Sequence, residues 1–242
     1  DFPFPSIRQA SVQTIRQKSL QKSSQHSGFS QQPTSSALNF QSPSLLQQQF
    51  LPILKDFRAE YPDIRVDVSS SNVTGLPATA LDMAIVYDRP NVDDQVTDLL
   101  WMVRVAPLCS AETAKMAQGR SLGEFLSQQD LLHIKLDGQP RDMLWSAFAR
   151  QMGMKVNTAD GIAFDTAITA AHYAMTANGV LLGDVDMFAD EIAQGRLQMP
   201  YEAVVEDGYG YYLKLHADDL SDPAMAVFRS WLIQRFGAMR QS

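Results

Sequence analysis

From Leu38 onward, short apolar runs that suit strands alternate with longer stretches of helical periodicity, and this alternation restricts the fold more than any other feature. Leu38–Gln41 reads as a strand. Ser42-Pro43-Ser44 then has the form of a helix start, with Ser42 as N-cap and Pro43 at the first helical position. The helix carries Leu45, Leu46, Phe50, Leu51, Ile53, Leu54 and Phe57 along one stripe, and Pro62 ends it. Ile64–Ser69 alternates as a strand does, and the polar turn Ser70–Gly75 follows. After a short helical stretch, Leu81–Tyr87 is an apolar run that suits a strand buried on both faces. Strand–helix–strand–helix–strand at these lengths predicts a right-handed parallel α/β unit.

The pattern then repeats. Strands are expected at Trp101–Cys109, Leu131–Leu136, within Lys155–Ala163, and at Val180–Gly183, Leu197–Met199 and Gly210–Leu215. Helices are expected at Ser121–Gln129, Asp142–Gly153, Thr166–Ala177, Met187–Gln194 and Pro223–Phe236. The predicted architecture is α/β with two similar lobes.

Residues 1–36 do not share this pattern. Gln17–Ser36 is rich in Ser and Gln and nearly free of aliphatic side chains, so it buries too little to offset its ordering entropy. A linker or tail is expected there, with a short weak helix around Ile7, Ala10, Thr14 and Ile15. Charge divides in the same place. The whole chain has 20 Lys and Arg against 27 Asp and Glu, net −7; Arg8, Arg16, Lys18 and Lys22 against Asp1 make the first 33 residues +3 and the rest −10. A body this acidic repels phosphate backbones, so any contact with DNA would need another domain.

Several classes are excluded. No run of about 18 apolar residues exists to cross a membrane. Cys109 is alone, which rules out an internal disulfide and a multi-cysteine zinc site and suits a reducing, cytoplasmic compartment. No phosphate loop, dinucleotide fingerprint or nucleophile elbow occurs, so no cofactor and no enzymatic reaction is called for. His26, His133, His172 and His216 are scattered; His133, in an apolar strand, suits either the core or a cleft wall. Asp93-Asp94 and Asp218-Asp219 read as solvated turns. The chain begins with Asp, so further residues are expected upstream, and nothing near the start has the form of a signal peptide.

A set of colinear pieces carries more. Ser42-Pro-Ser44 leads into Phe50–Arg58 and Tyr61–Val66; then come Leu81–Ile85, Ala106–Ser110, Leu131-Leu-His133 with Trp145 and Phe148, and Ala163–Thr166. Gly179–Gly183, Gly195-Arg-Leu197, Tyr211-Tyr-Leu213 and Phe228–Leu232 close the series. Over residues 38–236 this resembles the effector-binding domain of LysR-type transcriptional regulators. The Leu-Leu-His, Gly-Arg-Leu and Tyr-Tyr-Leu pieces are similar to the branch of the glycine-cleavage activator. One departure is Asn178, where a glycine is common.

The resemblance implies a periplasmic-binding-protein-like fold, two lobes joined by two crossover strands. Lobe I would be residues 37–104 plus 205–242 and lobe II residues 105–204, with a remnant of a linker helix in 1–36. The family's winged helix-turn-helix would lie upstream. A small effector, a carboxylate or a zwitterion, is expected in the cleft, at the carboxyl ends of the strands. The residues expected to line it are Ser42, Pro43, Ser44, Ser70, Ser71, Tyr87, His133, Ile134, Lys135, Asp165 and Thr166. Ser42, Ser44 and Thr166 suit helix capping equally well. Lys135 would read the carboxylate and Asp165 an amino group. Self-association is expected as an antiparallel dimer, pairing helix Ser44–Ala59 and strand Ile64–Val68 with helix Asp186–Gln194 and strand Arg196–Met199. Lys55 and Arg58 would face Asp186, Asp190 and Glu191, and Leu51, Val66, Phe188 and Leu197 would supply apolar area. A periplasmic solute-binding protein and an enzyme on the same two-lobed fold are the competing readings.

Overall fold

The computed structural model describes residues 35–40, 42–70, 83–90, 96–136 and 138–239. The expected tail up to residue 34, His26, Ser71 with the rest of its polar turn, the helical stretch before Leu81, and Asp93-Asp94 lie outside the described residues.

One eight-stranded sheet organises the described residues. In chain order its strands are β1 (Ser35–Phe40), β2 (Arg65–Ser70), β3 (Met83–Asp88), β4 (Val96–Leu108), β5 (Leu131–Ile134), β6 (Ile162–Phe164), β7 (Val180–Asp184) and β8 (Val205–Leu215). Across the sheet they run β2-β1-β3-β8-β4-β7-β5-β6. The trio β2-β1-β3 is parallel, and so is the trio β7-β5-β6. The antiparallel pair β8 and β4 joins the trios through further antiparallel pairing with β3 and β7. Strand β4 meets β8 from Val96 to Val105 and pairs with β7 from Val105 to Leu108. The two parallel trios answer to the repeat of strand and helix signals in the sequence.

The helices are α1 (Pro43–Leu45), α2 (Leu51–Glu60), α3 (Ala111–Lys115), α4 (Leu122–Leu126), α5 (Met143–Gln151), α6 (Ala167–Thr176), α7 (Ala189–Ala193) and α8 (Pro223–Met239). Local chemistry explains their starts. Ser42, Ser110, Ser121 and Thr166 each accept a backbone N–H from the first turn of the following helix, and Ser121 with Glu124 forms a reciprocal capping box. The single helix expected after Ser42 is interrupted. A π-helical stretch, Leu46–Phe50, separates α1 from α2, and the Leu51 N–H reaches back to the Leu46 carbonyl. Pro52 supplies the reason: it lacks an N–H, and its ring excludes the carbonyl four residues earlier, so the turn before it widens.

The core is continuous across the sheet. Phe57 packs against Phe228 and Trp231 with ring centroids 4.6 and 5.1 Å apart, and Phe40 lies 4.7 Å from Phe50. Beside the second trio, Trp145 and Phe148 are buried, and the Trp145 indole donates to the Leu132 carbonyl at 3.0 Å.

Four expectations change. Ser35 and Ser36, placed in the tail by composition, begin β1, because backbone pairing with Arg65 and Val66 needs no apolar side chain. Leu197–Met199 is no strand; one bridge, Gln198 with Cys109, stands there. The helix expected at Met187–Gln194 is only Ala189–Ala193, since Asp184 holds the loop before it in another path. Finally, Phe188 and Leu197 are 0% exposed and Glu191 is tied to Arg196 at 3.0 Å, so these three serve the chain's own packing rather than a face for a partner.

Candidate functional site

Parallel strands end where their helices begin, and the carboxyl ends of β1, β3, β5, β6 and β7 open onto one groove of about 890 Å³. From the first trio it takes Ser42, Pro43 and Ser44, the turn between β1 and α1, and Tyr87 and Asp88 at the end of β3. The second trio contributes Ile134, Lys135 and Leu136 after β5, Asp165 and Thr166 after β6, and Leu182, Gly183 and Asp184 on β7. Val103 and Val105 of β4 and Tyr209 and Tyr211 of β8 line it from the joining strands, and Arg141 and Leu144 complete the wall.

Two polar bridges join the first trio's helices to the second trio. Ile168, in the first turn of α6, donates its N–H to Ser44 Oγ at 3.0 Å. Gln49 Nε2 donates to the carbonyls of Asp186 and Met187 at 3.3 and 2.8 Å. Ser44 is buried and its hydroxyl is committed to this bridge. Ser42 stays half-buried and caps α1 through the Leu45 N–H at 3.3 Å. Thr166 caps α6, accepting the Thr169 N–H at 3.3 Å. Lys135 and Asp165 find each other, Nζ to Oδ1 at 2.9 Å, both well exposed. Tyr87 is stacked on Tyr209, centroids 4.8 Å apart and planes 9° from parallel.

Eight of the expected residues therefore meet in one groove: Ser42, Pro43, Ser44, Tyr87, Ile134, Lys135, Asp165 and Thr166. Two do not. His133 is 2% exposed, with Nε2 on the Asp160 carbonyl at 2.8 Å; β5 is covered on both faces, so alternate residues do not reach the groove. Ser70 ends β2 at the edge of the sheet, outside the groove lining.

The groove also holds groups that the sequence did not single out. Arg141 donates to the Gly161 carbonyl, and Asp88 pairs with Lys214 at 3.5 Å. Asp184 is a carboxylate at the end of an apolar strand. Its oxygens accept the Trp101 indole N–H at 3.2 Å and the Asp186 N–H at 3.0 Å. Burial pushes its carboxyl up to about 7, against the opposing pull of those hydrogen bonds and one from the Met187 backbone. The clue was an acid closing the run Val180-Leu-Leu-Gly-Asp184. Cys109 is fully buried and its thiol is pushed up to about 12 by desolvation, so it brings no reactive thiolate.

Comparison with known proteins agrees with this geometry. The family model described as "LysR substrate binding domain" matches residues 31–237. The transcriptional activator AmpR of Rhodobacter capsulatus is 30% identical over 183 residues, 75% of this chain and 60% of the relative. The glycine cleavage system transcriptional activator homolog of Haemophilus influenzae is 28% identical over 200 residues, 81% of this chain and 64% of the relative. Among solved structures, the effector domain of the transcriptional regulator AmpR of Pseudomonas aeruginosa has a TM-score of 0.72 at 25% identity, covering 86% of this chain and 96% of that one. The AmpR effector binding domain from Citrobacter freundii has a TM-score of 0.71 at 22% identity, covering 86% and 100%. The chain thus spans about three fifths of the length of the AmpR relatives it matches.

Proposed function

The chain belongs to the LysR substrate binding domain family, and from that premise we propose that its groove is the effector site and that occupancy there governs the DNA binding of a longer regulator. Its fold is the two-lobed, periplasmic-binding-protein-like one, and it is the effector-binding domain of a LysR-type regulator. The relatives above are transcriptional regulators, not enzymes and not periplasmic solute carriers.

The observation that carries the proposal is the groove itself. The carboxyl ends of both parallel trios point into one space, where open α/β sheets take their ligands. The lobes we assign are residues 37–104 plus 205–242 and residues 105–204, with β4 and β8 as the crossovers. The effector is a small carboxylate or zwitterion. Its carboxylate is read by Lys135, by Arg141 and by the Ala167 N–H at the start of α6, beside Thr166. Since Lys135 pairs with Asp165, the effector carboxylate takes the place of Asp165 on that lysine.

DNA contact belongs to a helix-turn-helix outside these residues, in a cytoplasmic protein. Among the described residues no helix is long and apolar enough to cross a membrane. The domain pairs as an antiparallel two-fold dimer, the α2 face and the β2 edge against the α7 region. Leu51, 48% exposed, and half-buried Val66 provide apolar contact, and Lys55 and Arg58 face Asp190.

A thermal-shift screen of amino acids, small organic acids and aromatic acids tests the effector reading. A ligand at a hundredfold excess over its Kd adds about 2.7 kcal/mol to the folded state. For an anionic ligand found this way, Lys135→Ala and Thr166→Val are expected to weaken affinity well beyond threefold. Unchanged affinity in both would refute the assigned pocket chemistry.

A further inference from the structure

Asp184 is 6% exposed, lines the groove, and has no Lys, Arg or His partner among the described residues. Arg104, next to Val105, which pairs with Asp184 in the β4–β7 register, is spent on Asp186 through two bonds of 2.9 and 2.5 Å. The hydrogen bonds that the Asp184 carboxylate accepts come from neutral N–H groups, those of the Trp101 indole and of the Asp186 and Met187 backbone. A carboxylate this buried and with no ion-pair partner is costly to ionise. On a groove wall such a group is a place for a cation.

Aromatic rings continue from it. Trp101, bonded to Asp184, packs on Tyr211 at 4.7 Å; Tyr211 lies 5.6 Å from Tyr87, and Tyr87 stacks on Tyr209. Arg89 already sits 4.6 Å over the Tyr209 ring, so this wall attracts positive charge by its ring faces. Among the other charges, Arg104 acts on Asp184 through space but bonds to Asp186 instead. Asp186 adds negative potential, Glu206 lies opposite Arg104 in the β4–β8 register, Asp88 is held by Lys214, and Lys135 by Asp165.

We propose that Asp184 and the tyrosine wall of Tyr87, Tyr209 and Tyr211 form a subsite for a protonated primary amine of the effector. This deepens the reading of the groove as the effector site and rests on it. The ammonium donates to the Asp184 oxygens and lies against the rings, while Lys135, Arg141 and the α6 start take the effector's anionic end. Because burial holds the Asp184 carboxyl up to about 7, the subsite strengthens as the carboxylate ionises.

The test uses the 242-residue chain and three probes: benzylammonium, its neutral analogue benzyl alcohol, and benzoate, each followed by two-dimensional amide and indole NMR. Benzylammonium should shift the Trp101 indole N–H resonance and bind about tenfold tighter than benzyl alcohol, as a charge-assisted hydrogen bond allows. In Asp184→Asn that preference disappears. In the wild type, benzylammonium should tighten by up to about tenfold from pH 6 to pH 8 and benzyl alcohol should not change, a readout that stands if the variant folds poorly. Equal affinity for the amine and the alcohol, or no pH dependence, overturns the subsite; benzoate or benzyl alcohol shifting Lys135 and Thr166 would then leave the effector groove standing. If none of the three shifts any groove resonance, both readings fall.

Discussion

Replacing Asp184 by asparagine should make the domain's stability less dependent on pH, in a direction that the buried carboxylate dictates. In the native state this carboxyl is pushed up to about 7 by burial, whereas in the unfolded chain it titrates near the ordinary aspartate value of about 3.9. The folded state therefore binds the proton more tightly, so stability falls as pH rises between those two values. Integrating the linkage from pH 5 to pH 8 gives a loss of about 2–3 kcal/mol from this one group. Asparagine cannot ionise and removes that dependence. It keeps one acceptor oxygen for Trp101 or for the Asp186 N–H but not both, a constant cost of about 1–3 kcal/mol. The constant cost cancels when the pH dependence of variant and wild type is compared. Urea unfolding of both at pH 5, 6, 7 and 8 should show the variant gaining about 2–3 kcal/mol on the wild type across the range. A relative change under about 0.5 kcal/mol, or one of opposite sign, would show that this carboxylate is not held up by burial.

Gly161 has φ +121°, and a Cβ there would stand 1.9 Å from the Leu131 carbonyl oxygen, so Gly161→Ala should cost about 2–5 kcal/mol by denaturant unfolding and displace His133 from its Asp160 contact. Ser44→Ala leaves the Ile168 N–H without its acceptor; a loss of about 1–3 kcal/mol is expected, with faster hydrogen exchange confined to the first turn of α6. Cys109 should resist alkylation at pH 8 in the folded protein and react fully once denatured, since desolvation holds its thiol up to about 12; rapid labelling of the native state would contradict its burial.

Much of this arrangement was legible before any coordinates, for reasons particular residues make clear. Ser42, Ser121 and Thr166 announced helix starts because capping is local, needing only the following turn. Runs such as Val180–Leu182 announced buried strands. Strand β4 begins at Val96, five residues before the expected start, because Thr97 and Asp98 are polar; Asp98 is held there by two bonds from Arg229 in α8 at 2.6 and 2.7 Å, a contact 131 residues away. Strand β8 hides its start in the same way behind Glu206 and Asp207. In the groove, residues next to strand ends were found and residues depending on distant partners were not. Asp184 matters because Trp101 lies beside it, 83 positions earlier. His133 failed as a groove residue because β5 is flanked by β6 and β7 and buried on both faces, leaving no alternation to show which side chains face outward.

The central claim is that a small effector occupies the groove between the two parallel trios. The most direct measurement is a crystal structure of the domain with the ligand giving the largest thermal stabilisation in the screen above. That ligand should contact Tyr87, Lys135, Thr166 and Asp184, with its anionic end toward Lys135 and any amine toward Asp184. A ligand bound elsewhere on the domain, with the groove unoccupied, would contradict it.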